Sequence, residues 1–72
     1  MASDIKHAFG IRIRQLRKKR DWSQEQLAEL SGMHWTYIGQ VERGERNLTL
    51  QSIEAIAKAF RIKIAHLFRG ID

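Results

Sequence analysis

Residues 23–44, with the sequence "SQEQLAELSGMHWTYIGQVERG", decide the fold of this chain. They open with a capping-box pattern, in which Ser23 bonds forward to the N–H of Gln26 and Gln26 reaches back to that of Ser23. Gly32 suits the left-handed conformation that commonly ends a helix, and a further helix is predicted from about residue 35 to 43. The stretch therefore predicts two short helices joined by a tight glycine turn.

Helical periodicity continues on both sides of this stretch. A first helix is predicted from about residue 4 to 20, with Ser3 or Asp4 as its cap. Its shared apolar face carries Ile5, Phe9, Ile13 and Leu16. Another helix is predicted after the cap Thr49, and a last turn holds Ile64, Leu67 and Phe68. With 72 residues, no proline and no linker-like segment, the chain is predicted to be one all-α domain, residues 1–72, of four to five short helices.

The composition favours a polyanionic partner. Lys and Arg number 13 against 8 Asp and Glu, a formal net charge of +5, and residues 11–20 hold six of these bases and no acid. Such a field attracts nucleic acid or an anionic membrane surface, although a solvated helix face has the same composition.

The absence of cysteine fits a reducing compartment. No secretory signal is visible in the first ten residues. No apolar run approaches the roughly 20 residues that span a bilayer, so no membrane partner is expected.

The helix at about 35–43 has two different faces. At 100° per residue, Ile38 and Val41 point one way, whereas the opposite face carries Thr36, Gln40 and Arg43, with Gly39 beside them. This pattern favours a helix-turn-helix, at about residues 23–43, whose second helix enters the DNA major groove. Gln pairs with adenine, Arg with guanine, and a Thr methyl with the thymine methyl; small Gly39 is expected to let the backbone approach the DNA. An ordinary helical hairpin remains the alternative.

Longer stretches carry a family resemblance. "SQEQLAELSG" and "YIGQVERGERNLTLQSIEAIAKAF" resemble the Cro/repressor (XRE-type) helix-turn-helix domain, and the likeness extends over residues from about 9 to 68. It implies a compact five-helix, lambda-repressor-like fold and a sequence-specific transcriptional regulator that binds double-stranded DNA as a homodimer on a near-palindromic operator. A cytoplasmic protein, bacterial or phage-associated and on the nucleoid, is implied as well.

The subfamily is left open by this resemblance. "HWTYIGQVERGERNLTLQSIE" is most similar to controller proteins of restriction–modification systems and to small prophage or genomic-island regulators. The operator sequence, the target genes and the choice between repression and activation are not specified by the motif.

The resemblance also implies roles for individual residues. The base-reading positions are Trp35, Thr36 and Gln40. The phosphate-binding positions are Gln24, Arg43, Arg46 and Asn47. His34 is expected to be either the cap of the helix at about 35–43 or a further phosphate-binding residue. Arg17 and Glu42 match a pair that commonly forms a salt bridge between the first and third helices, which would neutralise an acid beside the DNA surface; a simple exposed acid is the alternative.

Trp35 and Gly39 depart from the family pattern, in which Arg or another polar residue and Ser are more usual. Trp35 falls about 90° from the core direction, at the border of the polar face. Three interpretations follow, in order of preference: contact with a thymine methyl, packing on the sugar–phosphate backbone, or folding back over the second helix as partial core.

The C-terminal region, about residues 50–71, carries an apolar surplus, and such a surplus often marks an interface. The predicted dimer-interface residues are Ile53, Ile64, Leu67 and Phe68. Some of them must also complete the core of the monomer. In a two-fold dimer the two recognition helices would lie about 34 Å apart, one turn of DNA.

Other classes of function find little support in the sequence. His7, His34 and His66 follow no metal-ligand spacing, and no Ser-His-acid order or glycine-rich phosphate loop is present, so no catalytic residue, metal, cofactor or small-molecule ligand is expected. A membrane-surface peptide would need one long basic amphipathic helix, and RNA binding would need a platform of stacking aromatics. A protein-interaction module of the same fold, such as an antitoxin-like partner, remains the alternative.

Overall fold

The computed structural model describes residues 4–71. Within this range the chain is entirely helical, with no strand, and its elements are α1 (Ile5–Lys19), α2 (Gln24–Ser31), α3 (Trp35–Glu42), α4 (Leu50–Phe60) and α5 (Ile64–Leu67). The predicted five-helix, all-α fold is confirmed, and each predicted helix end lies within about one or two residues of the observed one.

Side chains cap the first four helices at their amino ends. The Asp4 carboxylate accepts from the His7 N–H at 3.4 Å, whereas the alternative cap, Ser3, lies outside the described residues. Thr49 Oγ1 accepts from the Ser52 N–H at 3.0 Å at the start of α4. Each of these bonds satisfies one of the donors that a helix leaves open at its first turn.

All five helices contribute to one hydrophobic core. Its buried members are Phe9, Ile13, Leu16, Leu27, Ala28, Ile38, Val41, Ile56, Ala57, Phe60 and Leu67. Ile5 shares a helix face with Phe9 and Ile13 as predicted, but it is 55% exposed and does not belong to this core. In residues 4–71 no helix is long and apolar enough to span a membrane.

Gly10 allows α1 and α3 to meet backbone against backbone. A Cβ atom at this position would lie 2.5 Å from the Val41 carbonyl oxygen and 2.6 Å from that of Glu42. A glycine inside a helix costs about 0.5–1 kcal/mol relative to alanine, and here that cost permits the close contact. The carboxyl half of α3 is therefore seated directly on α1.

Candidate nucleic-acid interface

Local hydrogen bonds fix both ends of α2, including the turn that leads into α3. The Ser23 N–H donates to Gln26 Oε1 at 2.7 Å, and the Gln26 N–H donates to Ser23 Oγ at 3.0 Å. Gly32 then adopts a φ of 72°, in the left-handed region that favours glycine, and the Met33 N–H donates to the Ala28 carbonyl at 2.9 Å. The capping box therefore fixes the start of α2, and the Gly32 and Met33 contacts end it just before α3 begins.

α3 is buried on one side and open on the other. Ile38 and Val41 are buried in the core, whereas Trp35 is 53% exposed. Thr36 is also exposed and Gln40 is half-buried. We call Trp35, Thr36 and Gln40 the reading face. Among residues 4–71, no side-chain hydrogen bond occupies the Thr36 hydroxyl or the Gln40 amide, so both groups are available to an outside partner.

His34 supports the start of the reading face in two ways. Its Nδ1 accepts from the Thr36 N–H at 3.3 Å, which makes His34 the amino-terminal cap of α3. Its ring also stacks beside the Trp35 indole, with centroids 6.4 Å apart and planes at 23°. The interpretation of Trp35 as partial core over α2 is therefore wrong, because the indole lies beside His34 and half in solvent. The two DNA-contact interpretations stay predictions.

A buried polar cluster of Arg17, Gln24 and Glu42, which we call the hub, ties α3 to α1 and α2. Arg17 Nε and Nη2 donate to the two Glu42 carboxylate oxygens at 2.6 and 2.9 Å, and the side chains are only 10% and 3% exposed. Gln24 Nε2 donates to Glu42 Oε1 at 3.1 Å, and Arg17 Nη1 donates to the Trp22 carbonyl at 2.8 Å. The expected Arg17–Glu42 pair is thus present, and it also ties in α2 and the residue before its cap.

Gly39 does not face outward, so the prediction that it brings the backbone close to DNA is wrong. It is buried, and a Cβ placed there would lie 3.3 Å from Arg43 Nη1 and 3.5 Å from Gln24 Oε1. Gly39 instead leaves room for these two polar side chains to cover the α3 backbone.

The predicted phosphate-binding side chains have different surroundings. Arg43 forms an exposed pair with Glu45, Nε to Oε2 at 3.0 Å, and the hydrogen bond and charge of Glu45 raise the pKa of Arg43 above its usual value. The Arg46 guanidinium lies 4.9 Å from the centre of the Tyr37 ring, a cation–π distance, and Asn47 is exposed. The bases therefore flank the carboxyl end of α3, with Arg46 held against the helix.

Comparison with known proteins assigns the family. A profile described as helix-turn-helix matches residues 13–67. The chain belongs to the helix-turn-helix family. It is 48% identical over 64 residues to the control protein C.SmaI of Serratia marcescens, covering 89% of this chain and 76% of the relative.

Solved structures of controller proteins superpose closely on this helix-turn-helix protein. The crystal structure of the restriction–modification controller protein C.AhdI from Aeromonas hydrophila gives a TM-score of 0.85 at 46% identity, covering 88% of this chain and 96% of that one. The restriction–modification controller protein C.Esp1396I, solved as a tetramer in complex with its natural 35 base-pair operator, gives 0.84 at 33% identity, covering 93% and 88%.

A second exposed surface of this helix-turn-helix protein is apolar. We call Leu50, Ile53, Ile64 and Phe68 the apolar patch; these residues line one shallow cavity of about 340 Å³. Leu50 is 83% exposed and Ile64 46% exposed, while Ile53 and Phe68 are half-buried. The prediction for Leu67 is wrong, because its side chain is fully buried inside the monomer and cannot reach a partner.

Sequence reasoning missed Leu50 as a surface residue. On a helical wheel the apolar residues of α4 form one face about 120° wide, from Ile56 to Leu50. Ile56, Ala57 and Phe60 on this face are buried in the core, whereas Leu50, at its edge and in the first turn of α4, is exposed.

Proposed function

We propose that this chain is a sequence-specific transcriptional regulator that binds double-stranded DNA as a homodimer, with α3 in the major groove of a near-palindromic operator. The observation that carries the proposal is the contrast between the two sides of α3. The hub and the core hold the buried side of α3 in place. On its exposed side, the Thr36 hydroxyl and the Gln40 amide form no side-chain hydrogen bond among the described residues. Rigid support behind open hydrogen-bonding groups is what reading of base edges requires.

The reading face supplies the base contacts. The Gln40 amide donates and accepts to an adenine edge, and the Thr36 methyl and Trp35 ring offer apolar contact to thymine methyl groups. Trp35 lies at the leading end of α3, beside His34, so it meets the DNA where the helix enters the groove.

Phosphate contacts surround this face and give register and affinity without sequence information. Gln24 uses one amide hydrogen on Glu42 and keeps the other for a phosphate. His34 accepts from the Thr36 N–H through Nδ1, which leaves Nε2 of its exposed ring for a phosphate. Arg43, Arg46 and Asn47 grip the backbone beyond the carboxyl end of α3.

The apolar patch forms the dimer contact. It offers exposed Leu50 and Ile64 side chains beside half-buried Ile53 and Phe68, and burial of a large apolar side chain contributes about 1.5–3 kcal/mol. A two-fold axis through this patch pairs the same surface on both copies and presents two copies of α3 to one face of DNA. Such a regulator acts in the cytoplasm, on the bacterial nucleoid.

Binding to the DNA immediately upstream of the protein's own gene tests the proposal. We expect saturable binding that weakens steeply with salt, because each neutralised phosphate releases about 0.9 counterion. A scrambled duplex of the same length is the control. Equal affinity for both duplexes would refute sequence-specific regulation, and no binding to either would favour the protein-interaction alternative.

Two substitutions separate base reading from phosphate binding. Gln40→Ala is expected to lower the preference for the upstream duplex by about 1–3 kcal/mol. Arg46→Ala is expected to weaken binding to both duplexes alike and to reduce the slope of log affinity against log salt concentration by about one. Urea unfolding of each variant checks that the fold is intact; a change in stability alone, with both binding profiles intact, would contradict these assignments.

A further inference from the structure

A cationic face lies on α1 and α5. It is formed by Arg12, Lys19, Lys63, His66 and Arg69, of which Lys19, Lys63 and Arg69 are exposed. Arg12 anchors it, because its Nε donates to the Leu67 carbonyl at 3.2 Å and its Nη2 to the His66 carbonyl at 2.7 Å. The bases of two helices are thereby held on one fixed surface.

The cationic face points away from the reading face. Gly10 of α1 faces α3, and Arg12, two residues later, is turned by about 200° around the helix axis. Lys19, seven residues after Arg12, returns to within about 20° of the same direction. A protein bound to DNA through α3 therefore still presents this face to solvent.

Positive charge on this face is concentrated and uncompensated in the described part of the chain. Burial and then the charges of Arg69, Arg12 and Lys19 lower the pKa of His66, so the groups that act on this imidazole are all bases. None of the salt bridges within residues 4–71 involves Lys19, Lys63 or Arg69. At neutral pH the face therefore carries a neutral His66 surrounded by cations.

The same surface contains an apolar depression. A shallow cavity of about 420 Å³ is lined by Ile62, Lys63, Ala65, His66 and Arg69. Ile62 and Ala65 contribute aliphatic surface to this lining, while Lys63 and Arg69 contribute cationic side chains. DNA backbone offers evenly spaced phosphates with no side chain to fill such a depression, whereas a protein segment with both acidic and apolar residues matches both parts.

We infer that the cationic face docks an acidic segment of a protein partner, with an apolar side chain in the cavity and carboxylates against Lys63, Arg69 and Lys19. Complementary charge would speed the encounter, and the buried apolar side chain would fix the position of the segment. Because the face is opposite α3, the partner binds the regulator while it occupies DNA.

A titration of the isotope-labelled protein with a short capped peptide, in which Asp and Glu flank a central Leu, tests this inference. We expect the backbone amide signals of Ile62, Ala65 and Arg69 to shift, in the free protein and again with saturating upstream duplex. Replacing the central Leu by Ser, or all acids by their amides, is expected to weaken binding by about tenfold or more.

Protein variants locate the binding. The double variant Lys63→Gln/Arg69→Gln is expected to bind the peptide about tenfold more weakly, with its affinity for the upstream duplex unchanged. Lys58→Gln is the matched control, since it removes an exposed α4 charge outside the face, and it is expected to leave peptide affinity unchanged.

Three results would overturn the inference. If Lys58→Gln weakened peptide binding equally, the binding would be a general attraction between opposite charges and not docking on the cationic face. Loss of peptide binding when duplex is added would place the peptide on the DNA surface. Shifts of the Ile62 and Ala65 amides by duplex alone would make DNA the occupant. Because the titration of the free protein needs no duplex, it stands even if the proposed DNA-binding function fails.

Discussion

Removing the Glu42 carboxylate is expected to destabilise this domain more than any exposed substitution. Glu42 accepts two bonds from Arg17 and one from Gln24, at a site where its side chain is 3% exposed. Glu42→Ala leaves the buried Arg17 guanidinium with the Trp22 carbonyl as its remaining described partner. Breaking a buried ion pair from one side costs about 3–5 kcal/mol, because the other charge stays buried without compensation.

Such a loss is a large share of the total stability of a small domain, about 5–15 kcal/mol. At about 4–8 °C per kcal/mol for a domain of this size, the melting temperature is expected to fall by roughly 12–40 °C. Urea unfolding followed by circular dichroism measures the free energy of unfolding directly. One fixed protein concentration is used, because the proposed dimer would add to the stability.

Glu45→Ala is the matched control. Glu45 also pairs with an arginine at 3.0 Å, but the two side chains are 58% and 51% exposed, so the expected loss is below about 1 kcal/mol. The double variant Arg17→Met/Glu42→Leu removes both buried charges together and is expected to recover most of the stability lost by Glu42→Ala. Equal losses for Glu42→Ala and Glu45→Ala, or no recovery in the double variant, would refute the reasoning.

Four further outcomes are expected. Gly10→Ala should lose about 1–3 kcal/mol in urea unfolding despite its better helix propensity, because its methyl group meets α3 carbonyl oxygens; a gain in stability would show that the two helices separate at little cost. His34→Asn keeps a side-chain cap and should leave stability nearly unchanged, whereas His34→Ala should lose about 0.5–2 kcal/mol; equal values would argue against the cap. In sedimentation at micromolar concentration, Leu50→Asp should give monomers while Leu30→Asp, at another exposed leucine, stays dimeric; the reverse result would move the interface off the apolar patch. Burial and nearby bases lower the pKa of His66, so the folded state binds this proton less readily than the unfolded chain. Stability should therefore decline as the pH falls below about 6.5. His66→Gln should remove that part of the decline, and an unchanged pH profile would exclude His66 as its source.

Local signals account for what the sequence predicted well. The capping box of Ser23 and Gln26, the left-handed Gly32 and the cap Thr49 act over three or four residues, so the chain alone places the helix ends. Helical spacing likewise placed Ile38 and Val41 inside, since three- and four-residue steps share a face whatever the helix packs against.

The errors came from packing between elements. Leu67 and Leu50 are both apolar residues of the C-terminal region, yet one is fully buried and the other 83% exposed, because only the angles between α4, α5 and the core distinguish them. Gly39 was placed on the outward face, but Gln24 from α2 covers it. A helical wheel describes one helix, whereas these residues are defined by neighbours that are distant in the sequence.

The separation of the two sides of α3 has an evolutionary consequence. The hub and Gly10 hold the helix without using any atom of Trp35, Thr36 or Gln40 side chains. Substitutions at those three positions can therefore accumulate with little loss of folding stability, and under the proposed base-reading role each is expected to alter which DNA sequence is preferred. Duplicated copies of such a gene could diverge into regulators that ignore each other's sites within one cell, while sharing one scaffold that selection keeps constant.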